Sequence, residues 1–162
     1  IEPAIKPAAM QTKNGLIGVL ATKGTLSSGL FEKTANNYAS DVKVIEKNAT
    51  GLVELIEKGI FSGEKIENIL KKNLNPMIQN KIDHLVLGCT HYPILIKTIK
   101  SLIPSHIKIL DSGKAVAKQT NRLLIKNKLE SNLIDPLYTF YCNGSDQSLN
   151  KILNFKFAIN II

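Results

Sequence analysis

The stretch that decides the fold reads Leu85-Val86-Leu87-Gly88-Cys89-Thr90-His91-Tyr92-Pro93. Its first three residues form a short apolar run of the kind found in parallel strands that are covered on both faces. Pro93 suits the first position of a helix, and apolar residues recur beyond it at helical spacing. We therefore expect Gly88 to turn the chain from a buried strand into a helix, with Cys89 in that turn.

A cysteine in such a turn is a candidate reactive thiol. Unpaired backbone N–H groups and the positive end of a helix dipole both favour the thiolate. Thr90 adds a hydroxyl and an N–H group, and His91 can donate or accept a proton near neutral pH. The alternative is that Cys89 is a small buried apolar residue, which is the common role of a lone cysteine.

Strand and helix patterns alternate along the rest of the chain. Strands are predicted at residues 16–21, 42–45, 107–110 and 138–142, and helices at residues 31–38, at 52–56 before Gly59, at 62–73 with Ser62 as the cap, and at 116–124. This order predicts an α/β fold, with a mostly parallel sheet flanked by helices. The ligand of such a sheet lies beyond the carboxyl ends of its strands.

Thr22 and Thr25 follow the first predicted strand, in a strand-to-helix loop. Hydroxyls and backbone N–H groups in such a loop can hold an anion such as a carboxylate. The alternative is that Thr22 simply caps the helix.

Composition excludes several classes of protein. The net charge is +8, but the lysines are scattered and Arg122 is the single arginine, so nucleic-acid binding is not expected. No apolar run approaches the roughly 18 residues of a membrane span, and the first residues lack a signal pattern, so the expected location is the cytoplasm, away from membranes. Cys89 and Cys142 are too far apart in sequence for a zinc-type pair and form no disulfide framework.

The complete string from Leu87 to Pro93 resembles, without a break, the second catalytic-cysteine motif of glutamate racemases. Further similarities lie in Ile1-Glu2-Pro3-Ala4, in residues 18–25, 49–59 and 141–146, and in Asp111-Ser112-Gly113. Enzymes of that family are pseudo-symmetric, two-domain α/β proteins that need neither pyridoxal phosphate nor metal. Two cysteines flank their substrate, and each serves one face of the α-carbon. The resemblance thus implies an enzyme without a cofactor or a metal site.

The resemblance also implies roles for individual residues. Cys89 is similar to the second catalytic thiol, which deprotonates L-glutamate, and His91 to the group that tunes that thiol. Glu57 matches an acidic position that orients His91 or the ammonium group of the substrate, while Glu54 stands where many relatives have proline. The substrate contacts implied are Thr90, His91, Thr25 and Thr22. A purely structural His91 and an exposed helix-end Glu57 are the alternatives.

The first catalytic cysteine of the family lies in a Cys-Asn-Thr motif that follows an Asp-Ser pair. This combination does not occur in the 162 residues, so the chain is expected to be the carboxyl-terminal part of such an enzyme. Residues 1–110 are expected to form the second α/β domain, carrying Cys89. Residues 111–162 are expected to supply elements that pack onto the amino-terminal domain. Cys142 is expected to be a buried structural thiol.

The implied reaction is the interconversion of L- and D-glutamate by transfer of the α-proton between two bases, which supplies D-glutamate for peptidoglycan. Glutamate is the expected small-molecule partner, a homodimer is left open, and the isolated chain should be nearly inactive because one base is absent. A related racemase for aspartate or a hydantoin and a non-catalytic binding module are the alternatives. A cysteine hydrolase is disfavoured, since partners in such a system normally come from separate segments.

Overall fold

A four-stranded parallel sheet forms the centre of the computed structural model, which describes residues 1–132, 134–144 and 146–162. Its strands are β1 (Leu16–Ala21), β2 (Lys43–Asn48), β3 (His84–Leu87) and β4 (Lys108–Leu110), in the order β2-β1-β3-β4. The helices are α1 (Glu2–Gln11), α2 (Lys23–Leu26), α3 (Gly29–Tyr38), α4 (Leu52–Glu57), α5 (Glu64–Gln79), α6 (Ile96–Leu102), α7 (Gly113–Lys126) and α8 (Gln147–Ile152). The expected α/β fold with a mostly parallel sheet is confirmed.

Helices cover both faces of this sheet. On β1, Ile17 and Val19 point into a core shared with α1 and α3, whereas Leu20 points into a second core shared with α4, α5 and α6. On β3, Val86 belongs to the first core, while Leu85 and Leu87 belong to the second. All of these residues are at most 3% exposed, which explains why residues 16–21 of β1 and 85–87 of β3 form unbroken apolar runs.

The start of α5 differs from the prediction. The helix begins at Glu64, after Gly63 with a φ of 102°, so Ser62 is not its cap. It also continues through Pro76 to Gln79, six residues past the predicted end at 73. The buried residues Ile66, Leu70 and Leu74 recur along one face, and their packing outweighs the local cost of the proline.

Residues beyond β4 bury little apolar surface. Within the described part of the chain, α7 has no buried residue, and a separate two-stranded parallel sheet pairs β5 (Phe140–Cys142) with β6 (Ile159–Ile161). Cys142 is half-buried, so it is less enclosed than expected. Large apolar side chains stay exposed here, among them Val116, Leu123, Leu129, Leu137, Tyr141 and Phe155. Across the described ranges, no helix is both long and apolar enough to cross a membrane.

Asp83 connects the loop after α1 to the start of β3 through hydrogen bonds. Its carboxylate accepts hydrogen bonds from the Thr12 hydroxyl at 2.8 Å, the Lys13 N–H at 2.6 Å and the Asn14 N–H at 3.3 Å, and it lies 2.7 Å from Nδ1 of buried His84. Burial acts to raise the pKa of Asp83, but these four hydrogen bonds outweigh burial and lower the pKa to about 2. The charged form of Asp83 therefore stabilises the fold.

Acid should remove this contribution within a defined window. The pKa of Asp83 falls from an ordinary 3.8 to about 2 on folding, so its stabilisation is present above pH 4 and is lost as the pH falls from about 4 to about 2. After allowance for solvent screening, we expect a loss of about 1–2 kcal/mol. Urea unfolding at pH 6 and pH 2 measures this loss in the free energy of unfolding. In D83N residue 83 cannot titrate, so the free energy of unfolding should fall less between the two pH values. An equal loss in D83N would contradict the assignment.

Candidate active site

Gly88 sets the position of the candidate site, because it brings the end of β3 against the end of β1. Its N–H donates to the Leu20 carbonyl at 2.8 Å. A Cβ at this position would lie 2.9 Å from Cβ of Ala21 and 2.6 Å from Cδ1 of Ile1. Since real Cβ atoms do not approach so closely, only glycine fits here without displacing a neighbouring strand. Cys89 follows directly and is half-buried at the carboxyl edge of the sheet.

G88A should therefore destabilise the protein by about 1–3 kcal/mol, the usual cost of overpacking. The Ile1 side chain can swing away, but Cβ of Ala21 is fixed to the backbone of β1. The matched control is G29A, because a Cβ at Gly29 meets nothing within 4 Å. In urea denaturation, the unfolding midpoint of G88A should lie at a lower urea concentration than that of G29A. Equal midpoints would show that the contact between the strands tolerates a methyl group.

The turn after Cys89 differs from the predicted helix start. A short 3-10 helix, Tyr92–Leu95, comes first, with Pro93 as its second residue, and the Tyr92 N–H donates to the Cys89 carbonyl at 3.3 Å. The regular helix α6 begins only at Ile96. Cys89 therefore does not lie at the end of an α-helix, so the expected stabilisation of its thiolate by a helix dipole is not available. The groups next to the thiol are side chains instead.

Those side chains are His91 and Glu57, two of the predicted site residues. Sγ of Cys89 lies 3.8 Å from Nδ1 of His91, and Nε2 of the same ring contacts Oε1 of Glu57. The side chain of His91 is 31% exposed and that of Glu57 is 56% exposed, so the group is open to solvent on one side. When Nε2–H donates to the carboxylate, Nδ1 carries a lone pair that can take the thiol proton. The arrangement can thus generate a thiolate at Cys89.

The predicted threonines lie at the same edge of the sheet. Thr22 caps α2, since its hydroxyl oxygen accepts from the Thr25 N–H at 3.3 Å, while its predicted contact with a substrate stays a prediction. The two hydroxyl oxygens are 3.0 Å apart. One hydroxyl donates to the other, and the second proton stays available to an anion. Thr90 is exposed and its side chain does not cap the 3-10 helix.

Tyr92 is a neighbour of the site that sequence reasoning did not single out. It is fully buried, and its hydroxyl has no hydrogen-bond partner among the described residues. Burial raises the pKa of Tyr92, and the charges of Cys89 and Glu54 raise it further. The phenol therefore stays neutral beside the thiol. Across the described ranges, no group of three or more His, Cys, Asp or Glu side chains is arranged to hold a metal ion.

Comparison with known proteins places these features in a family. A family model described as Asp/Glu/Hydantoin racemase matches residues 1–120. The glutamate racemase of Stutzerimonas stutzeri is 38% identical over 162 residues, which are 100% of this chain and 61% of that protein. Thus the chain spans about three fifths of the length of this relative.

Solved structures agree with the sequence match. A glutamate racemase isoform from Bacillus anthracis superposes with a TM-score of 0.84 at 27% identity, covering 100% of this chain and 62% of that one. The Escherichia coli glutamate racemase, solved with L-glutamate and the activator UDP-MurNAc-Ala, superposes with a TM-score of 0.80 at 29% identity, covering 98% and 61%.

Proposed function

The chain belongs to the Asp/Glu/Hydantoin racemase family, and from this premise we propose that it forms the Cys89-bearing part of a cofactor-independent glutamate racemase. The observation that carries the proposal is the chain of contacts from Cys89 through His91 to Glu57. The similar proteins compared above are glutamate racemases, which favours glutamate over aspartate or a hydantoin. The product D-glutamate would serve peptidoglycan synthesis in the cytoplasm.

In this proposal Cys89 is one of two bases. Its thiolate removes the α-proton of L-glutamate from one face, and a second group on the opposite face returns a proton, so the centre inverts. A single fixed base cannot reach both faces of a tetrahedral carbon, and each transfer needs the base within reach of the proton. His91 holds the proton taken from the thiol, and Glu57 stabilises the imidazolium that results.

The threonines bind the substrate in the same proposal. The free proton of the Thr22–Thr25 hydroxyl pair donates to a carboxylate of glutamate, and exposed Thr90 offers a second donor next to Cys89. These contacts fix the α-carbon against Sγ of Cys89, which lowers the entropic part of the barrier.

We also propose the division of the chain into residues 1–110, which hold the site, and residues 111–162, which pack onto another domain. Support comes from the exposure of α7 and of the apolar side chains that follow it. Val116 and Leu123 are seven residues apart on α7, so they lie on one face of that helix. They are 51% and 43% exposed, and an apolar face of this kind is usually covered by a partner.

Thiol reactivity tests the proposed function. In a C142S background, where Cys89 is the single thiol, iodoacetamide should label Cys89 at pH 7 several times faster than it labels Cys142 in C89S. H91Q should slow the labelling of Cys89 by about 10-fold, because the thiol loses the acceptor of its proton, and E57Q should slow it less.

The matched control is H106Q, since His106 is exposed and lies two residues before β4, at the opposite end of the strands from Cys89. Cys89 in the H106Q variant should be labelled at the same rate as in the C142S chain without further changes. If Cys89 reacts no faster than Cys142, and H91Q leaves its rate unchanged, then the thiol is structural. The non-catalytic binding module would be the better explanation.

A further inference from the structure

Helix α4 ends in a tight turn directly after Glu57, the residue that contacts His91. The N–H groups of Gly59 and Ile60 donate back to carbonyls three and five residues earlier, at 2.8 and 2.9 Å, which is the pattern of a Schellman motif. Gly59 has a φ of 68°, the left-handed conformation that this motif requires. The turn therefore determines how the backbone of Glu57 is held at the end of the helix.

Lys151, on α8, lies across this turn. Its ammonium group donates to the Gly59 carbonyl at 2.9 Å, a contact between residues 92 positions apart in sequence. A Cβ at Gly59 would lie 2.8 Å from both Nζ and Cδ of Lys151, so the stem of the lysine rests closely on the glycine backbone. The lysine thus contacts the turn through its apolar stem as well as through its hydrogen bond.

The last turn of α4 lies outside the core. The helix has six residues, and its buried residues, Leu52 and Ile56, both precede Glu57, while Glu57 and Lys58 are exposed. The ends of short helices fray unless tertiary contacts hold them. A cation at the carboxyl end of a helix also offsets the partial negative charge of the last carbonyls. Lys151 therefore supplies a contact that keeps this turn in place.

We propose that Lys151 is a positioning residue for the Cys89 thiol. It holds the carboxyl end of α4 and so keeps Glu57 against His91. This assignment rests on the proposed function, in which His91 takes the thiol proton, because Glu57 stabilises the imidazolium only while the two side chains are in contact. Helix α8 belongs to residues 111–162, so the contact gives that part of the chain an influence on the reactivity of the thiol.

Labelling of Cys89 with iodoacetamide in the C142S background tests the proposal. K151M keeps an apolar stem and removes the ammonium group, so it should slow labelling at pH 7 by about 2- to 5-fold, the usual effect of a cation at a helix end. K151R keeps a charged donor, and Cys89 in this variant should be labelled within about 2-fold of the rate in the C142S chain. The matched control is K156M, which makes the same change at an exposed lysine beyond α8 and should leave the rate unchanged.

A double variant separates positioning through Glu57 from a general loss of structure. Where E57Q is already present, the charged contact with His91 is absent, so adding K151M should slow labelling by less than about 1.5-fold further. Slowing of the same size with and without E57Q would overturn the proposal, because the lysine would then act on the thiol by another route. An unchanged labelling rate in K151M alone would overturn it as well.

The same labelling rates separate this failure from that of the proposed function. If H91Q and E57Q slow the labelling of Cys89 and K151M does not, the racemase proposal stands and the role of Lys151 alone is removed. If none of the three variants changes the rate, both proposals fail together.

Discussion

C89S is expected to reduce the exchange of the α-proton of L-glutamate with solvent by about 100- to 10,000-fold. A serine hydroxyl is a far weaker acid than a thiol, so His91 cannot generate an equivalent base from it. The exchange is measured by proton NMR in deuterated buffer, which follows the α-hydrogen signal whether or not the centre inverts. The readout therefore reports the step assigned to Cys89 even where the opposite face lacks its partner.

C142S is the matched control for this prediction. It makes the same atomic change in β5, which belongs to a separate sheet from the one that ends at Cys89. We expect exchange within 2-fold of the unmodified chain. Loss of exchange in C142S alone would show that Cys142, and not Cys89, is the base. Exchange that survives in C89S would show that the Cys89 thiol takes no part in the reaction.

Much of the fold follows from local pattern. Residues 16–21 and 85–87 are apolar without interruption because helices cover both faces of β1 and β3, and such runs are hard to mistake for anything else. The position of the site follows equally well, since residues after parallel strands meet at one edge of the sheet. Thr22 and Cys89 come from segments 67 positions apart in sequence, yet they lie beyond neighbouring strands.

The features that sequence reasoning missed depend on tertiary contacts. The break between the 3-10 helix and α6 is invisible in a run of helically spaced apolar residues, because both kinds of helix bury a similar face. The contact of Glu57 with His91 joins residues 34 positions apart in sequence, so only the family resemblance pointed to it.

We propose that the part of the Stutzerimonas stutzeri enzyme that this chain does not match is its amino-terminal domain, and joining that part to the chain should raise racemisation at least 100-fold over the chain alone. In the proposed mechanism the added part supplies the base for the opposite face, so the gain should appear in inversion, followed by the optical rotation of L-glutamate. Aspartate and hydantoin substrates should turn over far more slowly. Comparable turnover of aspartate would favour the related-racemase alternative.

The gain should depend on the exposed face of α7, because residues 111–162 are proposed to pack onto the added domain. L123D places a charge on that face, where Leu123 is 43% exposed in the chain alone. In the joined protein a buried, unpaired carboxylate is costly, so inversion should fall at least 10-fold. N121D, which places the same charge elsewhere on α7, should change inversion less than 2-fold. If both variants keep full activity, α7 lies outside the contact and the proposed division at residue 110 is wrong.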